Sequence, residues 1–169
     1  MRNRPLSLAP GLALAIGLLL SPVLCTAQAV CPWMNQATAS GLVGAPLGAP
    51  VLSGSAPSIA CTYRAQEKGE ATTLEISVVQ MSDPATQYAP HRARCRPPGV
   101  ALTAIGNEAI LCRADKSPQT YAERVVGRVR DRAFIVTVSI NARSKPPFNR
   151  ATMEDQAKAV AEQVAGFLF

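Results

Sequence analysis

The sequence predicts an α+β domain, an antiparallel sheet of about five strands with N- and C-terminal helices packed on one face and two disulfides. Three observations carry this. Phe134, Val136, Val138 and Ile140 alternate with Ile135, Thr137 and Ser139, the two-residue period of a strand. Met153, Ala157, Val160, Val164 and Leu168 recur at helical spacing near the C-terminus, an apolar stripe that needs an apolar partner. Four cysteines follow an apolar leader, the pattern of an exported, cross-linked fold.

The leader comes first. Arg2 and Arg4 form a basic start, an apolar run spans Leu12 to Leu20, and Pro22 is followed by small residues ending in Ala27-Gln28-Ala29. These are the three parts of a secretory signal peptide, with cleavage expected after Ala29, so that residues 1–29 leave and residues 30–169 form a single exported domain. A permanent anchor needs roughly 20 apolar residues, about twice this run, so no transmembrane anchor is expected in the mature form. Cys25 is preceded by Leu24 rather than the small residue lipidation prefers, and Asn3 separates the two arginines, which removes the twin-arginine motif.

About 140 residues remain, enough for one core without a metal. Loss of Arg2 and Arg4 leaves 15 of the 17 Lys and Arg against 11 Asp and Glu, a net charge near +4. This modest balance favours solubility and weak attraction to anionic polymers. Cys25 departs with the leader, and Cys31, Cys61, Cys95 and Cys112 allow three connectivities. Pairing Cys31 with Cys61 and Cys95 with Cys112 closes the shortest loops. A tetrathiolate zinc site would want C-x-x-C pairs, which are absent.

The elements follow in order. Asn35 to Val43 reads as a short helix, with Asn35 as N-cap and Gly44 as the stop. Gly44 to Pro57, rich in Gly, Ala, Pro and Ser, reads as loop. Ser58 to Arg64 and Thr72 to Met81 are strands separated by a polar turn, the first with Ile59, Cys61 and Tyr63 on one face, the second with Leu74, Ile76 and Val78. The Pro-rich passage from Asp83 supports a short helix at Pro84 to Ala89 and otherwise loop. Glu108 to Ala114 is the next strand, and Tyr121 to Arg130 with Arg132 to Ile140 make a hairpin around Asp131. The terminal helix starts at Thr152, with Asp155 completing a capping box.

Chemistry is sparse. The single histidine, His91, lies in the basic stretch His91-Arg92-Ala93-Arg94, read as an exposed loop, and no free cysteine is expected, so no nucleophile and base are paired. One histidine also argues against a catalytic zinc or haem, and no metal or other cofactor is expected. Glu154 and Asp155 are explained by capping, and Glu67 and Glu70 by a solvated turn. Gly99, Gly106 and Gly127 stand alone, without a phosphate-binding loop. Trp33, beside Cys31-Pro32, reads as a shield for the first disulfide. Positive charge gathers twice, at Arg92, Arg94 and Arg96 in one loop and at Arg124, Arg128 and Arg130 on one hairpin face, with Arg113, Lys116 and Arg132 nearby. A water-facing sheet surface shows polar residues in any case, and the same arginines could bind an anionic polymer. Aromatic interleaving is missing apart from Tyr121, which argues against nucleic acid.

The order Cys31, helix ending Leu42-Val43-Gly44, Cys61-Thr62-Tyr63, Gly106-Asn107-Glu108-Ala109, hairpin and terminal helix resembles a group of small exported bacterial domains, many of them lipoproteins of unassigned function. The lipidation cysteine of that group is absent here and a second cysteine pair is present. The resemblance implies a bacterial protein outside the cytoplasm with a non-enzymatic role. The expectation is a secreted or periplasmic module that binds a ligand or an envelope protein. The alternative is a binder of anionic envelope polymers through the arginines, and a small exported hydrolase or inhibitor ranks last.

Overall fold

The computed structural model describes residues 30–67, 69–95, 99–142 and 149–169. The leader, with its expected cleavage site, and Arg96 lie outside the described residues. The elements are α1 (Gln36–Val43), β1 (Val51–Ser55), β2 (Ser58–Glu67), β3 (Glu70–Gln80), α2 (Pro84–Arg92), β4 (Val100–Leu102), β5 (Glu108–Arg113), β6 (Thr120–Val129), β7 (Arg132–Ala142) and α3 (Arg150–Leu168). The strands form one 7-stranded antiparallel sheet in the order β1-β2-β3-β7-β6-β5-β4. Two meanders, β1–β3 and β4–β7, therefore stand side by side and meet where β3 pairs with β7. Because β3 is central and β4 lies at the far edge, the chain must cross a face of the sheet between them, and α2 is part of that crossing.

The two faces are covered differently. On the inner face Leu74, Ile76, Val78, Val125, Phe134, Val136 and Val138 meet Ala39 and Val43 of α1 and the predicted stripe of α3, all in one buried cluster. The N- and C-terminal helices thus share a face, as the sequence predicted. On the outer face Tyr88 of α2 packs with Met81, Val126, Ala133 and Ile135 in a second, smaller cluster that includes Cys95 and Cys112. β7 is consequently buried on both sides, which explains why Ala133 to Val138 carries no exposed residue.

Both disulfides are formed, Cys31 with Cys61 and Cys95 with Cys112. Trp33 is buried in the same cluster as the first, which supports its shielding role. The Tyr63 hydroxyl donates to the Met34 carbonyl, tying the N-terminal segment to β2, and burial pushes this phenol up to about 12. Asn35 caps α1 by accepting from the Thr38 amide at 2.8 Å, and Gly44 ends it with φ of 69°.

Three expectations need correction. The sheet has seven strands rather than five, because β1 and β4 fall in segments read as loop. They are its two edges, paired on one side only, and edge strands tolerate the Gly, Ser and Pro that argued against them. The terminal helix begins two residues earlier, at Arg150, capped by Asn149, whose side chain accepts from the Ala151 amide; Asp155 pairs with Lys158 instead of completing a capping box. The short helix after Asp83 runs on to Arg92 with Pro90 inside it.

Two inner-face features make testable demands. Gly127 lies opposite Phe134 in the hairpin, and a Cβ at 127 would overlap the Phe134 ring. Glu123 also faces the inner side, with 1% of its side chain exposed, and is held by Arg150 at the start of α3, which also bonds Asp115 at 2.8 Å. Gly127→Ala is expected to destabilise the fold by about 1–3 kcal/mol in urea unfolding, and Phe134→Leu in the same chain should recover part of that loss. Arg150→Met leaves a carboxylate buried without its partner and should cost roughly 2–3 kcal/mol near neutral pH. Burial already raises the Glu123 carboxyl against the opposing pull of Arg150. Without Arg150 the folded state should favour the protonated form further, so the deficit in urea midpoint should shrink as pH falls through the carboxylate range.

Candidate functional site

The charged residues collect on the outer face, around α2. Asp83 caps this helix by accepting from the Ala85 amide at 3.1 Å and the Thr86 hydroxyl at 2.7 Å, and the Thr86 bond first of all holds its carboxyl below the usual range. Tyr88 anchors the middle of the helix. Its hydroxyl donates to the Val126 carbonyl at 3.3 Å, and burial raises the phenol to about 12. At the far end Cys95 is bonded to Cys112 of β5, so the covalent link fixes where the helix stops on the sheet.

This docking brings together arginines that are far apart in sequence. Arg92 ends α2 and faces Arg128 across an open groove of about 520 Å³, lined also by Asp83, Tyr88 and Glu108. Arg94 precedes Cys95, and Arg124 is the cross-strand neighbour of Cys112, so the disulfide sets the two cations beside each other. Half-burial chiefly, and then Arg94, lower the Arg124 guanidinium, while Glu75 across the sheet opposes them. Arg124 Nε donates to Thr137 Oγ1 at 3.2 Å. Among the described residues Arg92, Arg94 and Arg124 make no salt bridge. Arg128 does, with Glu108 at 3.0 Å, and its guanidinium also lies 5.9 Å from the Tyr88 ring centroid.

Arg130 does not join them. It sits in the β6–β7 turn with φ of 52°, exposed, rather than on the strand face with Arg124 and Arg128. Its amide donates to Asn107 Oδ1 at 2.6 Å, while the Asn107 amide donates to the Arg128 carbonyl at 2.7 Å. The Gly106-Asn107-Glu108-Ala109 motif therefore clamps the hairpin tip: Gly106 lets the backbones approach, Glu108 pairs with Arg128, and buried Ala109 lies opposite Gly127. Arg113 points to the inner side with its neighbour Glu123, Arg132 donates to Gln80, and Tyr121 lies under Arg150 on the inner face. Glu108, Tyr88 and Thr137 carry no sequence signal that links them to the arginines, because only strand register and the position of α2 bring them together.

His91 belongs to the last turn of α2, half-buried, not to an exposed loop. It borders a second groove of about 820 Å³ on the other side of the helix, with Val79, Met81, Gln87 and Asp131. Its Nδ1 is buried and has no hydrogen-bond partner among the described residues. Burial, and then Arg94, hold its pKa below the ordinary value. No described hydroxyl bonds the ring, and all four described thiols are in disulfides. Among the described residues no group of three or more His, Cys, Asp or Glu could hold a metal ion, and no helix is long and apolar enough to cross a membrane.

No protein-family model matches the chain, and no curated protein matches it. Among solved structures it aligns with a deswapped triple mutant of bovine odorant binding protein, with 7% identity over 69% of this chain and 68% of that one. The TM-score of 0.21 is too low for that alignment to inform fold or ligand.

The histidine yields a prediction with a defined sign. A lowered folded-state pKa means the native state disfavours the imidazolium, so this contribution to stability is present above the unfolded value, about 6.5, and is lost as pH falls through the folded one. His91→Phe should therefore flatten the stability profile between about pH 7 and 5 relative to the parent. Proton NMR of the one imidazole, which needs no assignment, should place its midpoint below the ordinary value.

Proposed function

We propose that the protein is an exported bacterial binding module, secreted or periplasmic after loss of residues 1–29, that acts without catalysis and takes an anionic envelope polymer on its outer face. The observation that carries this reading is the convergence of Arg92, Arg94 and Arg124 around the C-terminal end of α2, none of them in a salt bridge among the described residues, with Glu75 acting on Arg124 from across the sheet. Packing does not require cations to be gathered there, since any polar residue satisfies a solvated sheet face. Like charges brought together repel, and a multivalent anion relieves that repulsion while releasing its own counterions. Arg128, already shared between Glu108 and the Tyr88 ring, orients the groove more than it supplies free charge. The two disulfides fit an oxidising compartment.

Heparin affinity chromatography of the mature chain tests the proposal. Retention should fall with added salt, and Arg94→Ser with Arg124→Ser should weaken binding on the order of tenfold at low ionic strength. A charge-matched control, Arg113→Ser with Lys158→Ser on the other side of the sheet, should change it far less. Equal losses in the two variants would reduce the effect to net charge and sink the assignment to this face.

A further inference from the structure

We infer that the Cys95–Cys112 disulfide is an exchange site for an external dithiol, with Cys95 Sγ the atom attacked and Cys112 the departing thiolate, and that its opening disassembles the arginine cluster. The two disulfides occupy opposite surroundings. Cys31–Cys61 belongs to the large inner core, in one buried cluster with Trp33, Leu74 and Ile76. Cys95–Cys112 lies at the rim of the smaller outer cluster, where Cys95 is 8% exposed and Cys112 3%. Arg94 adjoins Cys95 in sequence and Arg124 adjoins Cys112 across the strands, and Arg92 is one helical turn back, its carbonyl accepting from the Cys95 amide at 3.0 Å. The carboxylate that acts on Arg124 is Glu75 of β3, on the side of β6 away from Cys112, and Asp83 and Glu108 share the groove with Arg92.

Cations beside a sulfur favour its thiolate, and a more stable thiolate departs faster in exchange. The asymmetry between the two sulfurs sets the direction. Cys95 is the more exposed, and it lies just past the C-terminal end of α2, where the helix dipole opposes negative charge. Cys112, on β5, does not sit at that helix end and is the better leaving group; Arg124 is its cross-strand neighbour, with Nε turned to Thr137 on β7. One thiolate of the dithiol attacks Cys95 Sγ; the S–S bond breaks with its electron pair on Cys112 Sγ, which then takes up a proton. The second thiolate attacks the mixed disulfide, releases Cys95 as a thiol, and the reagent departs as a cyclic disulfide. The protein disulfide is reduced to two thiols and the dithiol is oxidised by the same two electrons. Arg92 and Arg94 then lose the covalent tie that sets them against Arg124. Only the effect of opening on polyanion binding rests on the function proposed above; the exchange stands on the surroundings of the two disulfides.

The test uses the oxidised mature chain under native conditions with limiting dithiothreitol, followed by alkylation and peptide mass mapping. Cys95 and Cys112 should be labelled at least tenfold faster than Cys31 and Cys61. Excess glutathione should leave its mixed disulfide on Cys95, and Arg94→Ser with Arg124→Ser should slow opening severalfold. Equal labelling of both pairs, earlier opening of Cys31–Cys61, the adduct on Cys112, or a wild-type rate in the arginine variant would each overturn the assignment. Selective opening should also weaken heparin retention. Unchanged retention after opening would overturn the coupling, whereas a parent chain that never binds heparin would sink the proposed function and leave the labelling ratio to decide the exchange.

Discussion

Strand β7 is the constraint on which the rest of the structure depends. It is hydrogen-bonded along one edge to β3 and along the other to β6, so among the described residues the two meanders are joined through it. Its side chains alternate between two cores: Phe134, Val136 and Val138 under α1 and α3, Ala133 and Ile135 under α2. A one-residue slip would exchange these sets and drive Thr137 and Ser139 into the larger core. Gly127 favours the register, since the Phe134 ring occupies the space its missing side chain leaves.

A second consequence of that seam is the crossing over the outer face. With β3 central and β4 at the far edge, the connecting segment has to traverse the sheet, and its passage covers the outward side chains of β6 and β7 with α2. Tyr88 at the middle and the disulfide at the end hold the helix at two points. The arginines of the crossing and those of the hairpin become one cluster for this reason alone. Arg92 and Arg128 line the groove on one side of α2, while His91 borders the groove on the other, whose walls are mixed apolar and polar, and still feels Arg94.

What could be read from residues alone follows from how many neighbours each element has. The five central strands show clear periodicity because both of their edges and at least one face are committed, and α3 shows it because its stripe covers the sheet. β1 and β4 carry no such imprint: Val51 and Val100 are exposed, and the strands' identity comes from the partner that each one pairs with. The cap of α3 was misread because Thr152 and Asp155 imitate a capping box two residues downstream of Asn149, which does the capping. The disulfide pairing was legible from loop lengths. The union of two arginine groups was not, since it depends on which face α2 chooses, and the hairpin pattern is compatible with either. Placing Arg130 on the strand face failed because alternation was continued through a turn, where a positive φ redirects the side chain.

The sheet handles charge in two ways, and the difference separates structure from function. On the inner face Glu123 is almost fully buried, and every cost of removing it from water must be offset locally, by Arg150, with Asp115 completing the network. Such a charge is tied to the fold: α3 seats with its arginine on the buried carboxylate, and removing that arginine destabilises the seat. On the outer face Arg92 and Arg94 are exposed, Arg124 is half-buried, and folding requires none of them to be paired. A buried ion pair answers a demand of the core, whereas neighbouring unpaired cations on a solvated surface answer none. The arginines, held in place by a disulfide that the larger core does not enclose, are therefore the part of the molecule whose arrangement packing leaves unexplained, and an anionic partner is the agent that would give it a use.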